Sequence, residues 1–145
     1  MPRILVPLGA ATGVAGSLLS VVVPWAMYGS FDIPLTRFPG WQVYAASVLA
    51  LHSCVTWALL VPAGRRSVLP LVVGAASGFV AAGSAMALAF RYDDGSALFP
   101  GVVPAVWPTP GPGPAVALLA IALAIGAVLA SRHRSGPTRT GSAVV

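Results

Sequence analysis

PAVALLAIALAIGAVLAS, residues 114–131, carries no ionisable side chain and only one hydroxyl. A helix of this length rises about 27 Å at ~1.5 Å per residue, close to the hydrocarbon thickness of a bilayer. Buried in a soluble domain, such a helix would need a large polar shell around it. The chain has none to offer: of its 145 residues 57% are apolar and 8% charged, with neither Lys nor Glu, where soluble domains carry about 25% charged residues. The stretch therefore reads as a membrane-spanning helix, and a soluble enzyme, a disordered chain and a nucleic-acid-binding domain are excluded with it.

Working outward, three more runs of the same kind appear, at 6–27, 41–61 and 68–90. None has Asp, Glu, Lys or Arg in its interior. Pro7, Pro24, Pro62, Pro70 and Pro114 fall near the ends of runs, where proline is tolerated or ends a helix. The expected fold is all-α: an integral four-helix antiparallel bundle over 1–131, followed by a disordered basic tail at 132–145. The first run is too long for a signal-peptide core, and Val23-Pro24-Trp25 is a poor cleavage context, so it is expected to be retained. Leu51-His52-Ser53-Cys54 is no lipoprotein box, lying far from the N-terminus. The lone Cys54 excludes an internal disulfide and a cysteine zinc site.

The net charge of +5 is scattered between apolar runs and makes no nucleic-acid face. It orients the chain instead. Arg3, Arg65, Arg66, Arg132, Arg134 and Arg139 fall on one side of the expected bundle, against Arg37, Arg91 and all three acids, Asp32, Asp93 and Asp94, on the other. The positive-inside rule then places both termini in the cytoplasm, in a multi-pass protein of the cell membrane. The tail arginines would face anionic headgroups.

Small residues recur every four positions: Gly9 and Gly13, Gly16 and Ser20, Gly74, Gly78 and Ala82, Ala122, Gly126 and Ala130. Such faces let helices approach closely in lipid, either within the bundle or against a partner. His52 is the only imidazole inside a run and is a candidate intramembrane polar site, with Ser53 and Thr56 beside it. The expected state is a neutral His satisfied by a nearby hydroxyl or carbonyl. No carboxylate lies in any run to build a proton path, and His133 lies in the tail, so a bis-histidine haem is not supported. No cofactor or metal site is expected.

Ten of the twelve aromatic residues gather at the outer loops, 28–40 and 91–113, and the helix ends beside them. Alternation of Phe31, Ile33 and Leu35 with Asp32, Pro34 and Thr36 predicts a short strand or hairpin in the first loop. In the second, Trp107-Pro108-Thr109-Pro110 predicts a stiff extended lead into the last helix. The loops are expected to form an aromatic, Pro-rich cap. Trp25, Trp41 and Trp107 are its candidate partner-binding residues, because bulky aromatics dominate interface energetics.

The run Leu18-Leu19-Ser20-Val21-Val22-Val23-Pro24-Trp25, a polar loop and then Gly40-Trp41-Gln42 resembles small uncharacterised four-helix membrane proteins of high-GC Gram-positive bacteria, which end helix one in Pro-Trp. SPW-repeat membrane proteins share Pro-Trp, but Val23 stands where they have Ser and no second copy follows. Claudin-like proteins share the helix–strand–helix layout but have a loop cysteine pair absent here. The resemblance implies a membrane protein and no defined activity. With no nucleophile–base set in sight, the expected role is non-enzymatic: an accessory or structural subunit engaging a membrane-protein partner or a homo-oligomer. The alternative is an oligomeric small transporter or channel component. The lipid bilayer is the one partner common to both.

Overall fold

The computed structural model describes residues 2–61, 68–101 and 104–133. Its elements follow in the order α1 (Pro2–Val22), β1 (Ala26–Tyr28), β2 (Phe31–Ile33), a 3₁₀ turn (Leu35–Arg37), α2 (Trp41–Leu60), α3 (Leu69–Ala89), the one-turn α4 (Gly95–Leu98), β3 (Pro108–Pro110) and α5 (Gly113–His133). The protein is thus mostly helical with one small sheet. Three helices are long and apolar enough to cross a membrane, in α2, in α3 and over Gly113–Ala130 of α5; α1 contributes a shorter apolar stretch, Pro7–Val22.

Helix α1 stops earlier than the apolar run that contains it. The residue before a proline is pushed out of the α region, and proline has no N–H to continue the ladder. Pro24 therefore ends α1 at Val22, and Ala26 and Met27, expected to be helical, pair with Tyr28 as the strand β1 instead. Helix α1 runs antiparallel to α5, and α2 antiparallel to α3. A methyl at Gly9 would meet Ala127, whereas one at Gly16 would meet Ala120, so α1 and α5 descend past one another. Likewise Gly74 of α3 lies against Cys54 of α2, and Gly78 against Leu51 of α2 and Ile125 of α5.

These close approaches explain the small residues. With no water to expel inside lipid, helices associate by packing, and a missing Cβ lets backbones come near. At Gly13 an added methyl would sit 3.2 Å from the Ala120 carbonyl. The three series at Gly9, Gly13 and Gly16, at Gly74 and Gly78, and at Ala120, Ala124 and Ala127 thus serve the interior. Ala122, Gly126 and Ala130 do not: they face outward on α5, with nothing within 4 Å of a methyl at Gly126.

At one end the two connections fold into a cap. Strand β1 is central in a three-stranded antiparallel sheet of order β2-β1-β3. Gly29, with φ of 63°, takes the first central position of the two-residue turn joining β1 to β2, the position that type II′ turns reserve for glycine. Strand β3 is flanked by Pro108 and Pro110, which cannot donate to a ladder, and it lies on the sheet edge where prolines are tolerated. The lead into the last helix is thereby a paired strand, held by Thr109 opposite Met27. One core runs from the cap into the helices, from Trp25, Leu35 and Phe38 through Tyr44 and Leu51 to Ala81 and Ala124.

The loop arginines Arg65 and Arg66 and the tail 134–145, with Arg134 and Arg139, lie outside the described residues, as do the side chains of Arg3 and Arg132. Of the segment expected to be a disordered tail, residues 132 and 133 belong to α5.

Candidate functional site

The end of α1 leaves backbone carbonyls without helical partners, and an unpaired carbonyl in an apolar setting is costly. Trp25 resolves one of them: its indole Nε1 donates to the Ser20 carbonyl at 2.7 Å. That bond turns the ring back over α1, where it is 1% exposed and packs against Tyr44 (centroids 5.5 Å apart, edge to face) and Phe38 (6.3 Å). Aromatic pairs of this kind contribute about 0.5–1.5 kcal/mol each beyond their buried area. The backbone of Pro24 and Trp25 is further tied to β2 and to the start of α5, through Trp25 N–H to the Ile33 carbonyl (2.8 Å), Gly111 N–H to the Trp25 carbonyl (3.0 Å) and Gly113 N–H to the Pro24 carbonyl (2.9 Å).

The three candidate tryptophans are therefore not a single surface. Trp25 is inside the cap. Trp41, the first residue of α2, is partly buried against the same core. Trp107 is 90% exposed.

Beside Trp107 lies a cavity of about 840 Å³, walled by Tyr28 from β1, Asp93 from the α3–α4 connection, Ser96 from α4, Phe99 after α4, and Val106 and Trp107 ahead of β3. Tyr28 and Phe99 meet edge to face with centroids 5.0 Å apart. The Tyr28 hydroxyl donates to the Tyr92 carbonyl at 2.9 Å, fastening β1 to the opposite connection. Burial, then the negative charges of Asp93 and Asp94, raise the Tyr28 phenol above its ordinary value.

The neighbouring acids have different duties. Asp94 is the N-cap of α4: its Oδ1 accepts from the Ser96 hydroxyl (2.7 Å) and the Ala97 N–H (3.2 Å). Those two bonds, with Arg91 as a lesser influence, hold its carboxyl below the usual carboxylate range. Among the described residues Asp93 has no hydrogen bond or ion pair through its side chain. Ion pairing across the cap among Asp32, Arg37, Arg91, Asp93 and Asp94 is not what closes it; backbone ladders and aromatic packing do that.

A second polar group sits between α1 and α2. His52 Nε2 lies 2.8 Å from the Ser17 hydroxyl. One turn further on, the Ser20 hydroxyl donates to the Ser17 carbonyl (2.7 Å) and lies 2.9 Å from the Tyr44 hydroxyl. The nearby hydroxyls expected on α2 are turned elsewhere: Ser53 bonds its own helix, at the Leu49 carbonyl. His52 Nδ1 is shielded from solvent and has no hydrogen-bond partner among the described residues. The described residues hold no group of three or more His, Cys, Asp or Glu that would bind a metal ion.

Sequence reasoning named His52 and Trp107 and missed Ser17, Tyr28, Asp93 and Phe99. The spacing of Ser17 and Ser20 puts both on one face of α1, a signal that was available. Tyr28, Asp93 and Phe99 share no local signal, being brought together by the tertiary contacts of Tyr28 with Tyr92 and Phe99. Compared with known proteins, the chain matches no family model, no curated protein and no solved structure. The likeness at Pro24-Trp25 and Gly40-Trp41 stands on those residues alone.

Proposed function

We propose that this protein crosses the membrane four times, with α1 as the fourth span and both termini cytoplasmic. In this reading it is a non-enzymatic accessory subunit that engages a membrane partner through its outer cap and an outward helix face. The observation that carries the reading is the exposure of Trp107, 90%, on a cap whose other structural tryptophan, Trp25, is 1% exposed. A large apolar ring held in the open by a paired strand is the kind of anchor that dominates interfaces. The outward series Ala122, Gly126 and Ala130 adds a small-residue face of the sort used between membrane helices.

Isolation in mild detergent tests this. A stoichiometric partner is expected with the natural chain, and Trp107→Ala is expected to weaken its recovery while the protein still inserts. Retention of the partner by Trp107→Ala, with loss on removing the tail, would move the functional face to the opposite end.

The second reading, an oligomeric small transporter or channel component, is favoured by one observation: the Ser17, His52, Ser20 and Tyr44 line within the helices, with a His52 ring nitrogen that has no partner among the described residues. If it holds, His52→Gln abolishes a pH-dependent flux at unchanged protein level. If the accessory role holds, His52→Gln leaves abundance and partner recovery near those of the natural chain.

A further inference from the structure

We propose that the cap cavity binds an organic cation, an alkylated ammonium group held between the Asp93 carboxylate and the rings of Tyr28, Phe99 and Trp107. At about 840 Å³ the cavity is of the size that holds small ligands. Its walls are mainly apolar and, among the described residues, contain one formal charge, the negative Asp93, and no arginine. An anion would meet repulsion there, and a neutral polar ligand would find few partners. An ammonium group is recognised twice, by the carboxylate and by the electron-rich faces of aromatic rings.

Three features leave these groups available. The Tyr28 hydroxyl is already occupied at the Tyr92 carbonyl, so the residue offers its ring rather than its oxygen. The carboxylate of Asp94 is committed to the first turn of α4, whereas that of Asp93 is unpaired among the described residues. The Tyr28 and Phe99 rings are inclined at 74° and so form a corner rather than a stack, and Trp107 is open to a ligand. The rise in the Tyr28 phenol, caused first by burial and then by Asp93 and Asp94, agrees with a negative potential in the cavity.

The ammonium has two chemical sources, a free small amine or the headgroup of a zwitterionic lipid. The lipid source rests on the membrane placement proposed above. The site itself rests on no protein partner.

Calorimetric titration of the purified full chain in maltoside micelles with choline, and with its neutral isostere 3,3-dimethylbutan-1-ol, tests the site. Saturable choline binding is expected, at least about tenfold tighter than the isostere, since only the cation engages both carboxylate and rings. Asp93→Asn is expected to weaken choline by about tenfold and Trp107→Ala by about threefold, while Asp32→Asn, altered on β2 away from the cavity, changes nothing. Trp107→Ala changes an exposed ring and keeps the test valid should Asp93→Asn fold poorly.

Repeating the titration in nanodiscs separates the sources. Weaker apparent choline affinity with phosphatidylcholine than with phosphatidylglycerol alone identifies a lipid headgroup as occupant; equal affinity identifies a free amine. Absence of saturable choline binding overturns the proposal, as does equal binding of the isostere, or indifference to both Asp93→Asn and Trp107→Ala. Choline binding that persists in a chain recovering no partner overturns the accessory reading alone.

Discussion

The Trp25 indole fits over the end of α1 because Gly113 has no side chain, and the Pro24–Trp25 backbone passes close to Gly111 for the same reason. A methyl on Gly111 would overlap the Pro24 carbonyl, and one on Gly113 would overlap the Trp25 ring at Cδ1. In each case the obstacle is backbone or a ring that is itself packed, so neither moves aside cheaply. Gly111→Ala and Gly113→Ala are each expected to destabilise the protein by about 1–3 kcal/mol, the usual range for overpacking. Thermal unfolding in detergent micelles checks this. Gly126→Ala, where nothing lies within 4 Å, is the matched control and is expected to change stability by less than about 0.5 kcal/mol.

At the scale of elements, α1 is joined to α2 by hydroxyls rather than by the close backbone approach it makes with α5. Interhelical hydrogen bonds within a bilayer have measured couplings near ~0.6 kcal/mol, with a maximum near ~1.7. A double-mutant cycle of Ser17→Ala and His52→Leu is therefore expected to give a favourable coupling of about 0.6 kcal/mol. A coupling indistinguishable from zero would mean that the 2.8 Å contact contributes no stability. Helix α4 depends instead on one carboxylate. The folded protein holds Asp94 below its ordinary titration range, so its capping contribution is fully present above about pH 4 and is lost as pH falls through the lowered value. Hydrogen exchange at Ala97 and Leu98 is expected to stay protected at pH 5 and to loosen in stronger acid. In Asp94→Ala the same amides are expected to exchange faster at every pH.

For the molecule as a whole, the antiparallel pairing of α1 with α5 and of α2 with α3 puts the cap at one end and the start of α1 and the end of α5 at the other. The proposed orientation, with that end toward the cytoplasm, rests on the arginine distribution, six residues against two. A reporter fused after Val145 is expected to read as cytoplasmic, and one inserted near Gly95 as external. The reverse pattern would invert the orientation and place the cap cavity, with its proposed cation, on the cytoplasmic face. Same-side readings from both reporters would remove a span, most directly α1.

What the sequence by itself determined is local: which stretches are apolar enough to be long helices, and that Phe31–Ile33 alternates as a strand does. Each follows from a few adjacent residues, because the period of side-chain direction acts over one or two turns. Even here the end of α1 ran five residues short of the apolar run, since composition does not register what Pro24 does to Val23. His52 was legible as a lone imidazole, but its partner Ser17 lies 35 positions away on another helix. Trp25 and Trp107 both stand beside a proline and look alike in sequence, yet one is 1% and the other 90% exposed. Only the tertiary structure decided between them. The same ring buries where Gly113 leaves it space and a free carbonyl lies within reach, and it stays outside where the chain is held off ahead of a sheet-edge strand. The cavity beside Trp107 is likewise tertiary: Tyr28 reaches the 92–99 segment through its hydroxyl at the Tyr92 carbonyl and its ring against Phe99, across more than sixty positions that no local pattern spans.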